Sequence, residues 1–387
     1  MITRLQVRNF KSLRELDMRL GPINVLVGPN MAGKSNILDG FRFLHEVAFP
    51  GAGRDGPSFA LAQRGGVNDV LWKGGDDKLI TIALEARDPA QADTEYKYKL
   101  ELIAGAGGYV TTQNESLKLI QSGIEYELIV LKQGFIWLRN LDGKEIGGFG
   151  PGTTALQSLA PTWDGYPFQE MVKLWRFYHF LPPKMKESSK MASGQVLDEP
   201  GGDNLSAWLM WLQTHSPEAF AKVNEVLRDL LPGVRQIRTI PTEDGNVHLS
   251  VSEDGLRHPA SVWQVSDGFL VLAALLSLIY VPPERSGTLY CVEEPENHLH
   301  PRLLETLVDL IRQVQGSGGS QAQFVFATQS PYFLDQFSLD EVYWVEKKKG
   351  ETKAYRPSDK QHLRKLAEDK DLGLGDLMYT GALGEEK

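Results

Sequence analysis

The chain has 387 residues, of which 42% are hydrophobic and 24% charged, so it can bury a sizeable core. Its formal net charge of −9 repels phosphate backbones, and any nucleic-acid contact would need a local basic patch. The single cysteine, Cys291, excludes an internal disulfide and fits a reducing, cytoplasmic compartment. The longest apolar run, residues 269–281, is shorter than the ~20 residues of a membrane span, so we expect a buried core helix and no membrane contact.

The first 76 residues predict a hairpin, a strand, a glycine-rich loop and a helix, in that order. Residues 2–20 alternate between apolar and polar side chains, as an edge hairpin would. Residues 23–28 (INVLVG) read as an apolar strand, and apolar side chains from Ile37 to Ala48 then recur at helical spacing. We assign residues 1–76 to the first part of a larger lobe.

Three further parts follow along the chain. Residues 77–150 carry short alternating segments separated by turn residues, which indicates an antiparallel β subdomain. Residues 151–246 read as a helical insert with proline-rich breaks. Strands and helices alternate again over residues 247–387, so this part is predicted to share one sheet with residues 1–76. Within it, residues 347–349 (KKK) indicate a solvated hairpin turn rather than a nucleic-acid patch.

Residues 28–35 (GPNMAGKS) match the phosphate-loop pattern G-x-x-x-x-G-K-[ST]. In such a loop the glycines let backbone amides curl round phosphate oxygens, and Lys34 reaches the terminal phosphates. The Ser35 hydroxyl ligates magnesium, and the helix from Asn36 adds its positive end. Because the pattern lies between an apolar strand and an amphipathic helix, it predicts a site for ATP and Mg²⁺. The candidate binding residues are Gly28, Pro29, Asn30, Ala32, Gly33, Lys34, Ser35 and Asn36.

A phosphate loop needs an acidic partner that holds the magnesium shell and positions water. Residues 288–292 (TLYCV) read as a buried strand with Glu293 and Glu294 at its end, and Pro301 opens a helix. We predict that Glu293 holds the magnesium shell through water, and that Glu294 acts as general base on the attacking water. The competing acidic segment, residues 194–200 (GQVLDEP), lacks preceding apolar residues and reads as a loop.

Two histidines follow the acidic pair. His298 and His300 lie two residues apart in what should be a tight loop. A zinc site needs at least three protein ligands, and the sequence contains no HExxH motif and no Cys/His cluster. Hydrogen bonding within the loop is therefore favoured over metal ligation, which stays open as the alternative.

Four motifs occur in a fixed order: GPNMAGKSNILDGFRFL, VSDGFLVLAALLSLI, YCVEEPENHLHPRLLETL and FVFATQSPYFLDQF. In these motifs the chain resembles the RecF/SMC/OLD branch of ABC-type ATPases, the RecF-like predicted ATPases of bacteria. The resemblance implies an α/β fold of the P-loop NTPase, ABC-ATPase head type, with a mixed or parallel sheet, an antiparallel β subdomain and a helical insert. It spans nearly the whole chain, although the β-rich middle is matched only in kind.

The resemblance also implies roles for individual residues. Glu293 falls on the family's magnesium acid, and Glu294 falls on its catalytic glutamate. Residues 265–269 (VSDGF) take the place of the ABC signature. Ser266 and Gly268 would then lie at a helix N-terminus that faces the nucleotide of the opposite subunit. A helix N-terminus attracts anions such as phosphate.

Further residues follow from the same resemblance. Residues 296–301 (ENHLHP) become the loop that faces a second subunit. Gln329 stands where many relatives carry a switch histidine; it can donate a hydrogen bond to the γ-phosphate but carries no charge, so we expect slow turnover or dependence on a partner. Gln63 is a candidate for the glutamine that links magnesium to the insert, and an ordinary surface glutamine is the open alternative. Lys11 and Ser12 are weaker candidates for nucleotide contact.

The sequence therefore predicts a cytoplasmic head that binds Mg-ATP and hydrolyses it slowly in a two-subunit sandwich, serving DNA repair or defence against phage. A second hypothesis is a weakly hydrolysing, nucleotide-gated scaffold that holds and releases a partner effector protein, which Gln329 and the acidic charge favour. A third is a metal-dependent hydrolase that uses residues 296–300. No heptad run suggests a coiled coil. The roughly fifty residues that follow the segment with Gln329 are too few for a nuclease domain, so no nuclease activity is expected. Direct contact with DNA stays open.

Overall fold

The structure is a computed structural model, which describes residues 1–88, 91, 93–105, 108–132, 134–150, 152–158, 161–193, 195–281, 288–316, 322–367 and 373–384. The chain divides into two compact units. Unit 1 consists of Met1–Trp175, Gln323–Gln329 and Ser338–Lys387. Unit 2 consists of Arg176–Ala322 and Ser330–Phe337.

The strands, in chain order, are β1 (Ile2–Phe10), β2 (Leu13–Arg19), β3 (Ile23–Val27), β4 (Leu79–Arg87), β5 (Thr94–Ala104), β6 (Val110–Gln121), β7 (Ile124–Lys132), β8 (Phe135–Arg139), β9 (Glu145–Phe149), β10 (Trp175–Tyr178), β11 (Ser189–Lys190), β12 (Val234–Pro241), β13 (Asn246–Glu253), β14 (Ala260–Ser261), β15 (Leu289–Glu293), β16 (Gln323–Thr328), β17 (Val342–Lys348) and β18 (Glu351–Tyr355).

The α-helices are α1 (Lys34–Ala48), α2 (Gly56–Ala62), α3 (Val67–Val70), α4 (Tyr166–Lys173), α5 (Pro182–Met185), α6 (Leu205–His215), α7 (Pro217–Leu230), α8 (Asp267–Ile279), α9 (Pro301–Gly316), α10 (Pro331–Leu334), α11 (Gln361–Ala367) and α12 (Leu374–Tyr379). Short 3₁₀ turns lie at Ala155–Gln157, Met191–Ser193, Leu339–Glu341 and Pro357–Asp359.

An antiparallel sheet of eight strands, in the order β2-β1-β4-β5-β6-β7-β8-β9, lies in unit 1. Buried side chains alternate with more exposed ones along β4 and β5, as expected of a sheet with one face on the core. The antiparallel character predicted for residues 77–150 is confirmed. The sheet also includes the first hairpin, because β1 pairs with β4 through Leu5 and Leu84.

A second group of strands in unit 1 runs in the order β16-β3-β17-β18. Strands β3 and β16 are buried along their whole length and are parallel to each other, and β3 also pairs in parallel with β17. Val27, the last residue of β3, faces Thr328 on one side and Trp344 on the other. The prediction that the first and last parts of the chain share a sheet is confirmed.

Unit 2 contains α8, a helix of 13 residues whose side chains from Phe269 to Ile279 are all buried. This confirms the predicted core helix. Among the residues with described coordinates, no helix is both long and apolar enough to cross a membrane. Strands β11, β13 and β12 form a small sheet, with β14 on β13, in the same unit.

Strands β10, β11 and β12 lie within residues 151–246, which the sequence predicts as a helical insert. Strand β10 is the first of them. It runs beside β15, and the Tyr178 ring stacks on Tyr290 with centroids 6.3 Å apart. Aromatic side chains favour a pleated surface, and pairing with a neighbouring strand outweighs the helical pattern of the flanking residues. The segment 194–200 is predicted to be a loop, and residues 195–200 contain no strand or helix, while residue 194 lies outside the described residues.

Candidate nucleotide-binding site

The phosphate-loop pattern folds into a tight turn between β3 and α1. A Cβ atom on Gly28 would overlap the carbonyl oxygen of Val345, so only glycine fits where the chain leaves the sheet. Gly33 has φ +106°, in the left-handed region, and a Cβ there would overlap the Thr352 hydroxyl. Both glycines of the motif are thus required by backbone geometry and by close packing.

Lys34 is 8% exposed and folds back over the loop. Its Nζ donates hydrogen bonds to the carbonyl oxygens of Gly28, at 2.7 Å, and Pro29, at 3.1 Å. A buried ammonium group needs partners, and anionic phosphate oxygens form stronger, charge-assisted bonds than carbonyls do. The position of Lys34 is therefore suited to a triphosphate seated in the turn.

The first turn of α1 carries the two remaining polar residues of the motif. Gly33 occupies the N-cap position and has no side chain with which to cap the helix amides. Ser35 is exposed at this helix start, and Asn36 is half-buried beside it. Backbone amides at a helix N-terminus attract anions, so this end of α1 favours phosphate.

A chain of hydrogen bonds supports the turn from two hairpins. Asn36 Nδ2 donates to Ser12 Oγ at 2.6 Å, and Ser12 Oγ lies 2.6 Å from Thr352 Oγ1. Thr352 Oγ1 donates to the Ala32 carbonyl at 2.9 Å, so the Ser12 hydroxyl must be the donor toward Thr352. The hydroxyls of Ser12 and Thr352 each donate one hydrogen bond and accept one, which favours a single arrangement of the loop.

Thr352 is fully buried and was not predicted from the sequence. No local pattern marks it, because it lies in the second strand of the β17–β18 hairpin, 320 residues along the chain from Ala32. The hairpin turn was predicted at residues 347–349, whereas the structure places it at Lys349 and Gly350, with Lys347 and Lys348 in β17. Ser12, one of the weaker candidates, is placed within this network.

A pocket of about 450 Å³ lies beside the start of α1 in unit 1. Lysines from three segments and one tryptophan line it, together with small and acidic residues. The lining consists of Lys11, Ser12, Asn36, Asp69, Leu71, Trp72, Lys73, Gly74, Lys347, Lys349 and Gly350. Lys11 forms an ion pair with Asp39 at 2.6 Å, and Lys73 forms one with Asp69 at 2.9 Å.

Gln329 follows β16 directly and is half-buried. The preceding residue, Thr328, pairs with Val27, which precedes Gly28. Because the two strands are parallel, Gln329 and the phosphate loop leave the sheet at the same edge of unit 1. This is where ligands bind in open parallel sheets, and the role of Gln329 at the γ-phosphate stays a prediction.

Gln63 is exposed at the C-terminal end of α2 and is not part of the pocket lining. Its neighbour Arg64 is instead held by Asp39, at 2.6 Å, and by Glu46, at 2.5 Å. The role of Gln63 in linking magnesium to the insert stays a prediction.

The acidic pair lies in unit 2, at the end of β15. Four buried residues precede Glu293, which is half-buried. Glu294 has φ +46°, a left-handed backbone that turns the chain sharply after the strand. The Asn297 side chain donates to Glu294 Oε2 at 2.9 Å, and the Asn297 amide donates to the Glu294 carbonyl at 3.0 Å. The glutamate is thus held in a defined turn.

The signature segment also lies in unit 2. Ser266 caps α8, since its Oγ accepts from the Phe269 amide at 3.2 Å. A Cβ on Gly268 would overlap the His298 carbonyl oxygen, so this glycine permits close approach of the loop after β15. Asp267, between them, forms an ion pair with Lys186 at 2.7 Å.

The two histidines of that loop make local contacts. His298 Nδ1 lies 3.9 Å from Asp267 Oδ2, and His300 Nδ1 accepts from the Arg302 amide at 3.3 Å. Within the part of the chain that the structure describes, no group of three or more His, Cys, Asp or Glu side chains is arranged to hold a metal ion.

The residues assigned to magnesium supply the right donor chemistry. Ser35 offers a hydroxyl oxygen at an exposed helix start, and Glu293 offers a half-exposed carboxylate at a strand end. Magnesium prefers oxygen ligands and keeps several of its waters. Each donor is therefore of a kind that suits Mg²⁺, and their joint use stays a prediction.

Solved structures with a similar fold include heads of SMC proteins. The Smc head bound to the C-terminal winged-helix domain of ScpA gives a TM-score of 0.58 at 15% identity, covering 92% of this chain and 97% of that chain. The Smc head with an extended coiled coil bound to the C-terminal domain of ScpA, from Pyrococcus furiosus, gives 0.54 at 13% identity over 95% of this chain and 98% of that chain. A Smc head with a coiled coil and joint from Pyrococcus yayanosii gives 0.52 at 12% identity, over 96% and 99%.

Two curated proteins share short stretches of sequence with the chain. An OLD nuclease of Thermus scotoductus is 55% identical over 38 residues, which are 10% of this chain and 7% of that protein. The DNA replication and repair protein RecF of Roseiflexus castenholzii is 40% identical over 55 residues, 14% of each. The matched stretches thus span a small part of these relatives' own lengths.

The SMC-head fold and the phosphate loop together define a P-loop NTPase of the ABC-ATPase head type, of the RecF/SMC/OLD kind. A family model described as "AAA domain, putative AbiEii toxin, Type IV TA system" matches residues 23–140 and 158–335. Because the match covers more than half of the chain, the protein belongs to this family.

Proposed function

We propose that this chain binds Mg-ATP in its phosphate loop and hydrolyses it slowly, within a dimer that ATP closes. The observation that carries the proposal is the loop itself: Gly28 and Gly33 sit where a Cβ would overlap a neighbour, and Lys34 is folded over the turn. Membership of an ATPase family supports the same reaction.

Each residue has a separate task in this proposal. Lys34 and the start of α1 bind the terminal phosphates, and the carboxylate of Glu294 takes a proton from the attacking water. Gln329 donates a hydrogen bond to the γ-phosphate as charge develops there. Ser35 and Glu293 are the residues that would hold Mg²⁺, which would supply positive charge to the phosphates.

The pocket beside α1 has the character needed for the nucleoside part of ATP. It opens next to Asn36, in the first turn of the phosphate-binding helix, and it is lined by Trp72, whose ring centroid lies 5.2 Å from the Arg14 guanidinium. Its volume of about 450 Å³ lies within the usual range for small-molecule sites. Lys11, Lys347 and Lys349 place positive charge around the same opening.

The position of the signature segment supports the proposed dimer. Ser266 and Gly268 lie at the N-terminus of α8, and a second copy would offer this helix end to the γ-phosphate bound by the first. ADP lacks that phosphate, so hydrolysis would loosen the pair. ATP binding and dimerisation are thereby linked, and each tightens the other.

The direct test is ATP binding and steady-state hydrolysis by the purified chain beside Lys34→Ala. We expect Mg-dependent phosphate release from the wild type, and neither binding nor turnover from the variant. Equal turnover of the two proteins would overturn the proposal.

For the cellular setting we propose DNA repair or defence against phage, in the cytoplasm. Support comes from relatives whose names describe a DNA repair protein and a nuclease. Duplex DNA should then raise the steady-state rate of ATP hydrolysis. If duplex DNA leaves the rate of ATP hydrolysis unchanged, the alternative function described next is favoured.

The alternative is a nucleotide-gated scaffold that hydrolyses little and holds a partner effector protein. The uncharged Gln329 at the switch position and the net charge of −9 favour it. A pull-down with Glu294→Gln in Mg-ATP, repeated in ADP, tests it. A protein retained in ATP and released in ADP would identify the effector.

A further inference from the structure

The proposed signature segment contains a charge that opposes its task. Asp267 is the first residue of α8, directly between Ser266 and Gly268. A carboxylate there is favourable for the helix, because it faces the positive end of the helix dipole. It competes, however, with a phosphate that must approach the same helix end, since like charges repel across a short distance.

Lys186 meets this charge from another segment of unit 2. It lies at the C-terminal end of α5, and its Nζ is 2.7 Å from Asp267 Oδ1. The Lys186 side chain is only 20% exposed, whereas that of Asp267 is 41% exposed. The ammonium group holds the pKa of Asp267 below its usual range, and His298, at 3.9 Å, acts in the same direction.

The environment of Lys186 differs from that of the neighbouring Lys184. Lys184, two residues earlier and within α5, pairs with Asp203 at 3.3 Å, and both side chains are about half exposed. Such surface pairs contribute little to stability. Lys186 instead directs its charge to the residue at the start of α8.

We propose that Lys186 is a positioning residue for the signature segment: it neutralises and fixes Asp267, so that the N-terminus of α8 can accept the terminal phosphate of ATP bound by a second copy. This inference rests on the proposed ATP-closed dimer. Without Lys186, each of the two equivalent nucleotide sites in the dimer would place the uncompensated carboxylate of Asp267 next to a triphosphate. The effect is expected on closure, because Lys186 pairs with the signature segment, whereas the contacts described for the phosphate loop involve Ser12, Val345 and Thr352.

The test uses the full chain carrying Glu294→Gln, so that ATP is bound but not consumed. The protein concentration for half-dimerisation in Mg-ATP is measured by light scattering, and ATP affinity is measured at a concentration where the protein is monomeric. Adding Lys186→Met should raise the half-dimerisation concentration at least about tenfold and leave monomer affinity unchanged. Lys184→Met is the matched control and should change neither quantity.

Rescue separates neutralisation from a purely structural contact. Asp267→Asn added to Lys186→Met should restore the parent's half-dimerisation concentration, and Lys186→Arg should keep it. Asp267→Asn alone should close at least as tightly as the parent, and this variant does not depend on how well Lys186→Met folds.

The outcomes distinguish this inference from the proposed function. If the parent does not dimerise with ATP, the closed dimer is wrong and this inference falls with it. If the parent dimerises and Lys186→Met dimerises at the same concentration, only the role of Lys186 is overturned. A Lys186→Met defect that Asp267→Asn fails to rescue, or weaker closure by Asp267→Asn alone, likewise overturns it.

Discussion

Glu294 combines a left-handed backbone with a carboxylate oriented by Asn297. A glutamate rarely adopts φ +46°, and the close hydrogen-bonded turn holds it there. The geometry is suited to a base that acts on one water molecule.

Glu294→Gln should keep ATP binding and lower hydrolysis by about 10² or more, because glutamine has nearly the same shape but cannot accept a proton. ATP affinity is measured by titration and hydrolysis by phosphate release. Lys34→Ala is the contrasting variant, since it should lose binding as well. Hydrolysis by Glu294→Gln at the wild-type rate would show that another residue activates the water.

Gln329 gives a second prediction at this scale. It leaves the sheet beside the phosphate loop, and a neutral amide there stabilises developing charge less than a protonated histidine would. Gln329→His should raise turnover with little change in ATP affinity. Gln329→Ala should lower turnover by about 10² to 10³. Identical rates for all three proteins would show that position 329 does not act on the γ-phosphate.

Local elements of this fold could be predicted because their signals are local. The order of β3, loop and α1 follows from an apolar run, two glycines and a helical repeat, and the burial of α8 follows from its continuous apolar sequence. Strand β10 was missed although its aromatic residues favour a strand, because it is only four residues long and its partner β15 is distant in sequence. Thr352 was missed for the same reason: its partners lie more than 300 residues away.

The β17–β18 hairpin is therefore expected to govern nucleotide affinity from a distance in sequence. Thr352→Val keeps the shape of the side chain but removes the hydroxyl that joins Ser12 to the Ala32 carbonyl. A buried polar group left without its partner costs about 1–3 kcal/mol, so ATP affinity should fall about tenfold as the loop loosens.

The measurement is ATP titration of Thr352→Val beside Thr352→Ser, which retains the hydroxyl and should bind nearly as the wild type does. Thermal unfolding of both variants checks that each is folded. Equal affinity of the valine and serine variants would show that the hydroxyl does not support the loop.

At the scale of the whole molecule, the chain carries exposed apolar side chains at the phosphate loop and near the signature segment. Met31, inside the phosphate loop, is 86% exposed, and Trp263, three residues before Ser266, is 60% exposed. Exposed aromatic and methionine side chains are enriched in protein interfaces. They provide well-placed positions for following the closure of two copies.

The last prediction is that ATP closes the dimer through Ser266. Ser266→Arg would place a long side chain where the γ-phosphate must approach α8, without changing the phosphate loop of its own chain. Light scattering on Glu294→Gln should show a dimer in Mg-ATP and a monomer or looser oligomer in ADP, and the Ser266→Arg double variant should show no ATP-induced closure. Because constitutive association elsewhere would hide this change in mass, cross-linking must accompany it. Copies carrying Met31→Cys are mixed with copies carrying Trp263→Cys, since the native Cys291 is buried. Cross-links between the two kinds of copy should form with ATP, and equal yields with ATP, ADP and no nucleotide would rule out an ATP-gated sandwich.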